Sequence, residues 1–432
     1  MLRRLARTDA SPEIRVASLV PLATVERHGA QKLRRNRGLG DGARLLSIVR
    51  MRQRLLIEGW RLIHHSYALV TQAYCLALSK RGDVDLRFRD IPYRNPAWRR
   101  TSGLLSIADE SLVARLPAPE PSFAPDVTLH MWPNFDPPPS GSKVTFGTPE
   151  LGWIHQGWLH GTQTGAEVAD TVSVLTPTRW TAAAYERFGI PVERIHIVPL
   201  GFDPAFFHPD DKRRAMTRAR LGATDDNFVF VSMGAMTWNK GVDILLRAFA
   251  RVAQSYPGAR LILKGADSIY PSREQVKDRF NALAGSDQAL VSSRLWYIGE
   301  TLTPVGVADI LRAADCYVSP YLAEGFNLPV LEAAACGLPV ICTAGGCTDD
   351  FVDSSFAMQI RSRLTRLSGD ENHAGDALIP DLDHLVTLMA DVSAKPAAGK
   401  EMGARGALHV AQRFTWDAVT ALLAEKLLCR AR

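Results

Sequence analysis

Residues 320–346, PYLAEGFNLPVLEAAACGLPVICTAGG, carry the strongest structural signal in the chain. An apolar run, CYVSP (316–320), leads into this stretch, and its second half contains another, PVICT (339–343). Between them, Pro329 suits the first turn of a helix and Gly337 suits its end. Strand, loop, helix and strand in this order predict a parallel sheet, with the helix start at the carboxyl ends of the strands.

The start of this predicted helix is a candidate anion site. The first N–H groups of a helix have no acceptor within the helix, and the helix dipole favours negative charge beside them. We expect these free groups near Asn327, Leu328 and Val330, where they suit a diphosphate without a metal ion. Only a loop and about one turn separate Glu324 from Glu332, so both carboxylates can face a ligand held at the helix start.

The same alternation of strands and helices continues towards the N-terminus. A second α/β unit begins with the predicted strands NFVFVSMG (227–234), ARLILKG (259–265) and RLWYIG (294–299). A first unit precedes it, in which a helix joins the predicted strands WRLIHHS (60–66) and VDLRFRDIP (84–92). The predicted fold class is therefore α/β, with two Rossmann-like, doubly wound domains facing a central cleft.

The positive charge of the chain is concentrated at one end. Residues 1–57 contain thirteen Lys or Arg and four acidic residues, a net charge of +9, so the other residues carry −3 of the total of +6. We therefore expect no nucleic-acid partner for the folded body. The basic head is interpreted either as a solvated segment that touches an anionic membrane or a partner, or as sequence upstream of the true start.

The six cysteines form no C-x-x-C pair, and no run of about 20 apolar residues is present. These features favour a reduced, cytoplasmic setting without a transmembrane helix. Contact with the cytoplasmic face of a membrane through the basic head is a further expectation.

Glu324 and Glu332 also lie in a distinctive stretch of sequence. EGFNLPVLEA followed by CGLPVI resembles the signature of retaining glycosyltransferases of family four, which have the GT-B fold. The resemblance implies that Glu324 lies beside the donor sugar and that Glu332 bonds the nucleotide ribose. It places Gly325, Phe326, Asn327 and Leu328 in the donor site as well, with Asn327 where the family usually has glycine.

A second segment extends the resemblance. SMGAMTWNKGVDILLRAF (232–249) is similar to the family's G-R-x4-K-G-x-D-x-L-L segment, in which an arginine and a lysine hold the donor diphosphate. Gly234 and Lys240 match, whereas Ala235 stands in the arginine position. Further matches extend over residues 58–425 and include HMWP (130–133), which implies that His130 contacts the donor sugar or the acceptor. The candidate catalytic residues are thus Glu324, Lys240 and His130.

The resemblance also gives each segment of the chain a role. Residues between the two α/β units, rich in Pro, Asp and basic side chains, are predicted as a linker. The predicted division is a basic extension without fixed structure (1–57), an acceptor domain (58–200), a linker (201–222), a nucleotide-sugar donor domain (223–405) and a C-terminal helix that packs back on the acceptor domain (406–432).

Two motifs that suggest metal binding are discounted. The D-V-D run at 83–85 opens a strand on the edge away from the cleft, and HQGWLH (155–160) lacks the spacing of a zinc helix. We expect no required metal and no cofactor, with a nucleotide-diphosphate sugar as the donor substrate.

The resemblance implies transfer of a sugar to an acceptor hydroxyl, with retention of configuration and with a saccharide or lipid-linked acceptor. Two alternatives stay open at this point. One is a sugar-nucleotide epimerase or phosphorylase of similar shape. The other, motivated by Ala235, is a nucleotide-sugar-binding protein of the same fold with weakened catalysis.

Overall fold

The computed structural model describes residues 15–16, 52–154, 164–369 and 373–428. Within them, a six-stranded parallel sheet forms from the N-terminal half and a seven-stranded parallel sheet mainly from the C-terminal half. A separate two-stranded antiparallel hairpin accompanies the second sheet. The predicted α/β class with two doubly wound domains is confirmed.

The strands follow the chain as β1 to β15. They are β1 Arg15–Val16, β2 Gln53–Gly59, β3 Val84–Asp90, β4 Val127–His130, β5 Ser142–Phe146, β6 Val172–Thr176, β7 Ile195–Ile197, β8 Phe228–Met233, β9 Ala259–Lys264, β10 Leu295–Ile298, β11 Cys316–Ser319, β12 Val340–Thr343, β13 Ala357–Ile360, β14 Ser362–Leu367 and β15 Gly375–Pro380. The N-terminal sheet has the order β3-β2-β4-β5-β6-β7, and the C-terminal sheet has the order β1-β10-β9-β8-β11-β12-β13.

Helices connect these strands as α1 to α13. They are α1 Ser66–Ser79, α2 Ile107–Ala114, α3 Gly165–Thr171, α4 Arg179–Phe188, α5 Asp211–Leu221, α6 Val242–Ser255, α7 Ser272–Asn281, α8 Gly285–Ser292, α9 Pro304–Ala313, α10 Leu328–Ala335, α11 Leu382–Ala394, α12 Pro396–Arg413 and α13 Trp416–Leu428.

The first strand of the N-terminal sheet differs from the prediction. WRLIHHS was expected to be a strand, but the strand is Gln53–Gly59, and it pairs with both β3 and β4. Its Leu55, Leu56 and Ile57 are buried between β3 and β4, although charged neighbours hide this short apolar run in the sequence. In the expected strand, Leu62 has a positive φ of 57°, which turns the chain towards α1.

The predicted basic extension, residues 1–57, lies mostly outside the described residues. Within it, Arg15–Val16 form β1 at the edge of the C-terminal sheet beside β10, and residues 53–57 belong to β2.

Two helices outside the two predicted domains pack onto them. Residues 201–222, predicted as a linker, contain α5, whose Arg213 forms a salt bridge of 2.6 Å with Asp309 of α9. The last helix, α13, packs on α1, where the rings of Tyr74 and Trp416 meet edge to face with centroids 5.8 Å apart. The two sheets face each other across a cleft. The packing of α13 on α1 returns the end of the chain to the N-terminal domain.

Gly241 sets the entry into α6, next to the cleft. Its φ of 66° is a left-handed conformation, and an added Cβ would overlap the carbonyl oxygen of Pro320. Only glycine satisfies both conditions at low cost. Lys240, the residue before it, is thereby fixed at the carboxyl end of β8.

We expect Gly241→Ala to destabilise the protein, because a left-handed alanine costs about 1–2 kcal/mol before the overlap is added. The matched control is Gly285→Ala, since a Cβ at Gly285 meets nothing within 4 Å and its φ is ordinary. Differential scanning calorimetry should show a fall of about 2 °C or more in Tm for Gly241→Ala alone. Equal Tm values for the two variants would contradict this role of Gly241.

Candidate active site

The cleft between the two sheets contains a cavity of about 770 Å³. It is lined from the N-terminal side by the start of α1 and the end of β5, and from the C-terminal side by the loops after β8, β9 and β11. Nine of the ten predicted site residues lie on its wall: Gly234, Ala235, Lys240, Glu324, Gly325, Phe326, Asn327, Leu328 and Glu332.

Lys240 and Glu324 form the central ion pair of the cavity. Lys240 Nζ donates to Glu324 Oε1 at 2.7 Å, and the two side chains expose only 19% and 11% of their surface. Burial alone lowers the pKa of Lys240, but the charges of Glu150 and Glu324 outweigh it and raise that pKa above its ordinary value. Lys240 is therefore a permanent cation at the base of the cleft.

Glu150, at the end of β5, brings the N-terminal domain to this pair. Glu150 Oε2 accepts from Asn239 Nδ2 at 2.8 Å and lies 4.0 Å from Lys240 Nζ. Its side chain keeps 45% of its surface open towards the cleft. Loss of hydration in the cleft, together with the negative charge of Glu324, raises the pKa of Glu150. The sequence analysis gave Glu150 no role at the site.

The start of α10 has the predicted geometry, with one correction. Asn327 is its N-cap, with φ 73°, and Pro329 lies in the first turn. The N–H of Val330, predicted to be free, donates to the Asn327 carbonyl at 3.0 Å. Leu328, as the first helical residue, has no acceptor within the helix, so Asn327 and Leu328 present the N–H groups at this end.

The left-handed backbone at Asn327 explains why glycine or asparagine suits this position. Its side chain is buried and donates to Ser319 Oγ at 2.9 Å. It is therefore anchored to the end of β11. Phe326 is likewise buried, and it stacks on Phe351 with centroids 4.7 Å apart.

Gly325 is a close contact between the two domains. An added Cβ there would lie 2.6 Å from Thr148 Cβ, and the Gly325 carbonyl accepts from Thr178 Oγ1 at 3.0 Å. Both threonines belong to the N-terminal half. The absence of a side chain at Gly325 therefore allows the two domains to meet beside Glu324.

Glu332 lies on the cavity wall about one turn into α10. Burial raises the pKa of this carboxyl to about 8. Among the described residues, no hydrogen-bond or ion-pair partner is recorded for its carboxyl group. Such a group favours a ligand that offers it hydroxyl hydrogens.

His130 does not join the site. Its Nδ1 lies 2.7 Å from Glu58 Oε2, its ring is buried, and it is absent from the cavity wall. The prediction that His130 contacts the donor or acceptor has no support in this geometry. Two other residues that the sequence analysis did not assign, His64 and Lys264, line the cavity instead.

No group of three or more potential metal ligands occurs among the residues that the structure describes. In the discounted D-V-D run, Asp83 forms a salt bridge with Arg81 and Asp85 with Arg87. HQGWLH (155–160) lies outside the described residues. No described helix combines the length and apolarity needed to cross a membrane.

Comparison with known proteins assigns this architecture. Residues 227–361, which include Lys240, Glu324 and Glu332, match the glycosyl transferases group 1 family. This match covers most of the C-terminal domain. The resemblance predicted from the EGFNLPVLE segment is thereby confirmed for the half of the chain that contains it.

Curated relatives extend the similarity beyond that domain. The chain is 30% identical over 259 residues to a D-inositol 3-phosphate glycosyltransferase of Acidothermus cellulolyticus, covering 58% of this chain and 52% of that protein. It is 32% identical over 183 residues to a mannosylfructose-phosphate synthase of Agrobacterium fabrum, covering 41% and 38%. The chain thus spans about half or less of the length of these relatives.

Solved structures share the whole architecture at low sequence identity. Anabaena HepE, solved in complex with UDP-glucose, superposes with a TM-score of 0.62 at 14% identity, over 87% of this chain and 99% of HepE. A sucrose-phosphate synthase from Thermosynechococcus elongatus gives a TM-score of 0.59 at 17% identity, over 87% and 98%. The GT-B fold predicted from the sequence is confirmed.

The raised pKa of Glu332 predicts a pH dependence of stability. Because its folded-state pKa of about 8 exceeds the ordinary 4.5, the folded protein binds this proton more tightly than the unfolded chain. The carboxyl therefore destabilises the fold progressively as the pH rises from about 4.5 to about 8. Glutamine does not titrate, so Glu332→Gln should gain Tm relative to wild type across this range and then level off.

Differential scanning fluorimetry at stepped pH in nucleotide-free buffer measures this difference. Glu150 titrates in both proteins and so cancels in the comparison. A Tm difference that stays constant with pH would contradict the burial of the Glu332 carboxyl.

Proposed function

We propose that this chain is a metal-independent glycosyltransferase that moves a sugar from a nucleotide-diphosphate sugar to an acceptor hydroxyl, with retention of anomeric configuration. The observation that carries the proposal is the Lys240–Glu324 pair, which lies with the start of α10 on the wall of one interdomain cavity. The relatives described above bear transferase and synthase names, which favours transfer over epimerisation.

In the proposed reaction, the helix start and Lys240 stabilise the leaving diphosphate. As the bond from the anomeric carbon to the phosphate oxygen breaks, negative charge grows on that oxygen. The N–H groups of Asn327 and Leu328 and the ammonium of Lys240 are fixed donors on the cavity wall, so they need little reorganisation during the step. One such donor contributes on the order of 10²–10³ in kcat in other enzymes.

Retention follows from attack on the face that the diphosphate leaves. The acceptor oxygen bonds the anomeric carbon on that face, and its proton passes to an oxygen of the departing phosphate. The products are the glycoside and the nucleoside diphosphate, so neither a protein nucleophile nor an external base is consumed. Glu324, already bonded to Lys240, orients the sugar hydroxyls and balances the charge of the lysine.

Glu332 is proposed to accept hydrogen bonds from the nucleotide ribose. This role agrees with a carboxyl that lacks a recorded partner among the described residues and that lies farther along α10 than the phosphate-binding end. The acceptor enters from the side of α1, where half-buried Leu69 and Leu76 contribute apolar surface to the cavity. A saccharide or a lipid-linked saccharide is the proposed acceptor class, in a cytoplasmic setting. Membrane contact through the basic N-terminus stays a prediction.

A ligand screen tests the proposal. We expect one of the UDP-, GDP- and ADP-sugars to raise the Tm, because a ligand that binds only the folded state stabilises it by mass action. The donor that binds should then release its nucleoside diphosphate faster when an acceptor is added. Stabilisation by none of these donors across the panel would sink the proposal. Binding without acceptor-dependent turnover on a broad panel would support a weakened binding protein instead.

Removal of the central cation should separate catalysis from folding. We expect Lys240→Met to lower kcat/KM by about 100-fold or more, because the leaving diphosphate loses a charge-assisted contact. Lys400→Met, at an exposed position on α12, is the matched control and should leave kcat/KM unchanged. If Lys240→Met retained wild-type kcat/KM, Lys240 would not hold the leaving group.

A further inference from the structure

We infer that Lys264 is the second cation of the donor site and binds the diphosphate in place of the arginine that is absent at Ala235. The inference rests on the proposed function and deepens it. Lys264 is the last residue of β9 and lies on the wall of the cavity. Only 5% of its surface is exposed to solvent.

Strand register places Lys264 beside the position of the missing arginine. β8 and β9 run parallel with Met233 opposite Lys264, and the Gly234 N–H donates to the Lys264 carbonyl at 3.0 Å. Ala235 follows immediately in the chain and also lines the cavity. Lys264 and position 235 therefore lie at the carboxyl ends of two neighbouring strands, and both line the same cavity.

The ammonium group of Lys264 retains hydrogen-bonding capacity. Among the described residues, Lys264 Nζ donates one hydrogen bond, to the carbonyl of Gly265. An ammonium group carries three N–H donors, so two are left for a ligand. Asp267 and Glu300 are near enough to act on its charge, but no described carboxylate lies within 4.0 Å of it as an ion pair. A buried cation with unfilled donors favours an anionic ligand.

The other cavity cations are already paired. Three basic side chains line the cavity in the described part of the chain, and they are Lys80, Lys240 and Lys264. Lys80 is largely exposed and lies 3.7 Å from Asp417, whereas Lys240 is bonded to Glu324. Among these three, Lys264 is the cation that has no carboxylate within 4.0 Å as an ion-pair partner in the described residues, so its charge is available to a ligand in addition to that of Lys240.

The charge balance of the cavity gives the same result. Three carboxyl groups, those of Glu150, Glu324 and Glu332, share the wall with Lys240, and the raised pKa of Glu332, about 8, leaves that group largely neutral at pH 7. Glu324 already balances the charge of Lys240, so a diphosphate in the cavity needs a further cation. His64, the neighbour of Lys264 across the cleft, does not supply that charge, because burial lowers its pKa to about 4.

The test is the affinity for a nucleoside diphosphate, measured by titration calorimetry with UDP, GDP and ADP. We expect Lys264→Met to weaken the binding of whichever nucleotide wild type accepts by about tenfold or more, because a charge-assisted contact to phosphate is lost. Lys277→Met, at an exposed position on α7, is the control and should bind like wild type. Ala235→Arg added to Lys264→Met should restore affinity, since the two positions serve the same phosphates.

Three outcomes overturn the inference. One is wild-type affinity in Lys264→Met. The second is a lower Tm in Lys264→Met that is restored in the double variant with Glu300→Gln, while both variants keep wild-type nucleotide affinity. Lys264 would then only neutralise the charge of Glu300. The third is failure of Ala235→Arg to restore affinity. Wild-type protein that binds none of the three nucleotides would instead refute the proposed function, and the inference would fall with it.

Discussion

The salt bridge between Lys240 and Glu324 is the interaction on which the rest of the site depends. Both groups are largely removed from water. An unpaired charge in such a buried place is costly, so each group requires the other. Lys240 is held by the left-handed turn at Gly241, and Glu324 by the loop that leads from β11 into α10. Two separate strand ends of one parallel sheet are thereby fixed at one point, and the start of α10 lies next to it.

The N-terminal domain completes this arrangement through short polar contacts. Glu150 reaches Asn239, Thr178 reaches the carbonyl of Gly325, and Thr148 lies against the Gly325 backbone. These contacts bring a second carboxyl group, that of Glu150, within 4.0 Å of Lys240, whose charge Glu324 already balances. In the proposed function, the diphosphate therefore needs a further cation besides Lys240 and the helix N–H groups, which gives Lys264 its importance.

The site was predictable from sequence wherever its residues are local. Glu324, Asn327 and Glu332 lie within one strand-loop-helix segment, so their proximity follows from chain geometry alone. Residues that depend on tertiary contacts were missed or misplaced. His130 is bonded to Glu58, 72 residues away, and Lys264 looks in the sequence like the solvated end of a strand. The strand Gln53–Gly59 was missed because charged side chains flank its short apolar centre. The burial of that centre depends on the neighbouring strands.

The central claim is that α10 and Lys240 bind the diphosphate, whereas Glu332 binds the nucleoside. The most direct test compares the affinities of inorganic pyrophosphate and of the accepted nucleoside diphosphate in wild type, Lys240→Met and Glu332→Gln by titration calorimetry. The account predicts that Lys240→Met weakens both ligands and that Glu332→Gln weakens only the nucleotide. Equal loss of pyrophosphate binding in Glu332→Gln, or unchanged pyrophosphate binding in Lys240→Met, would contradict it.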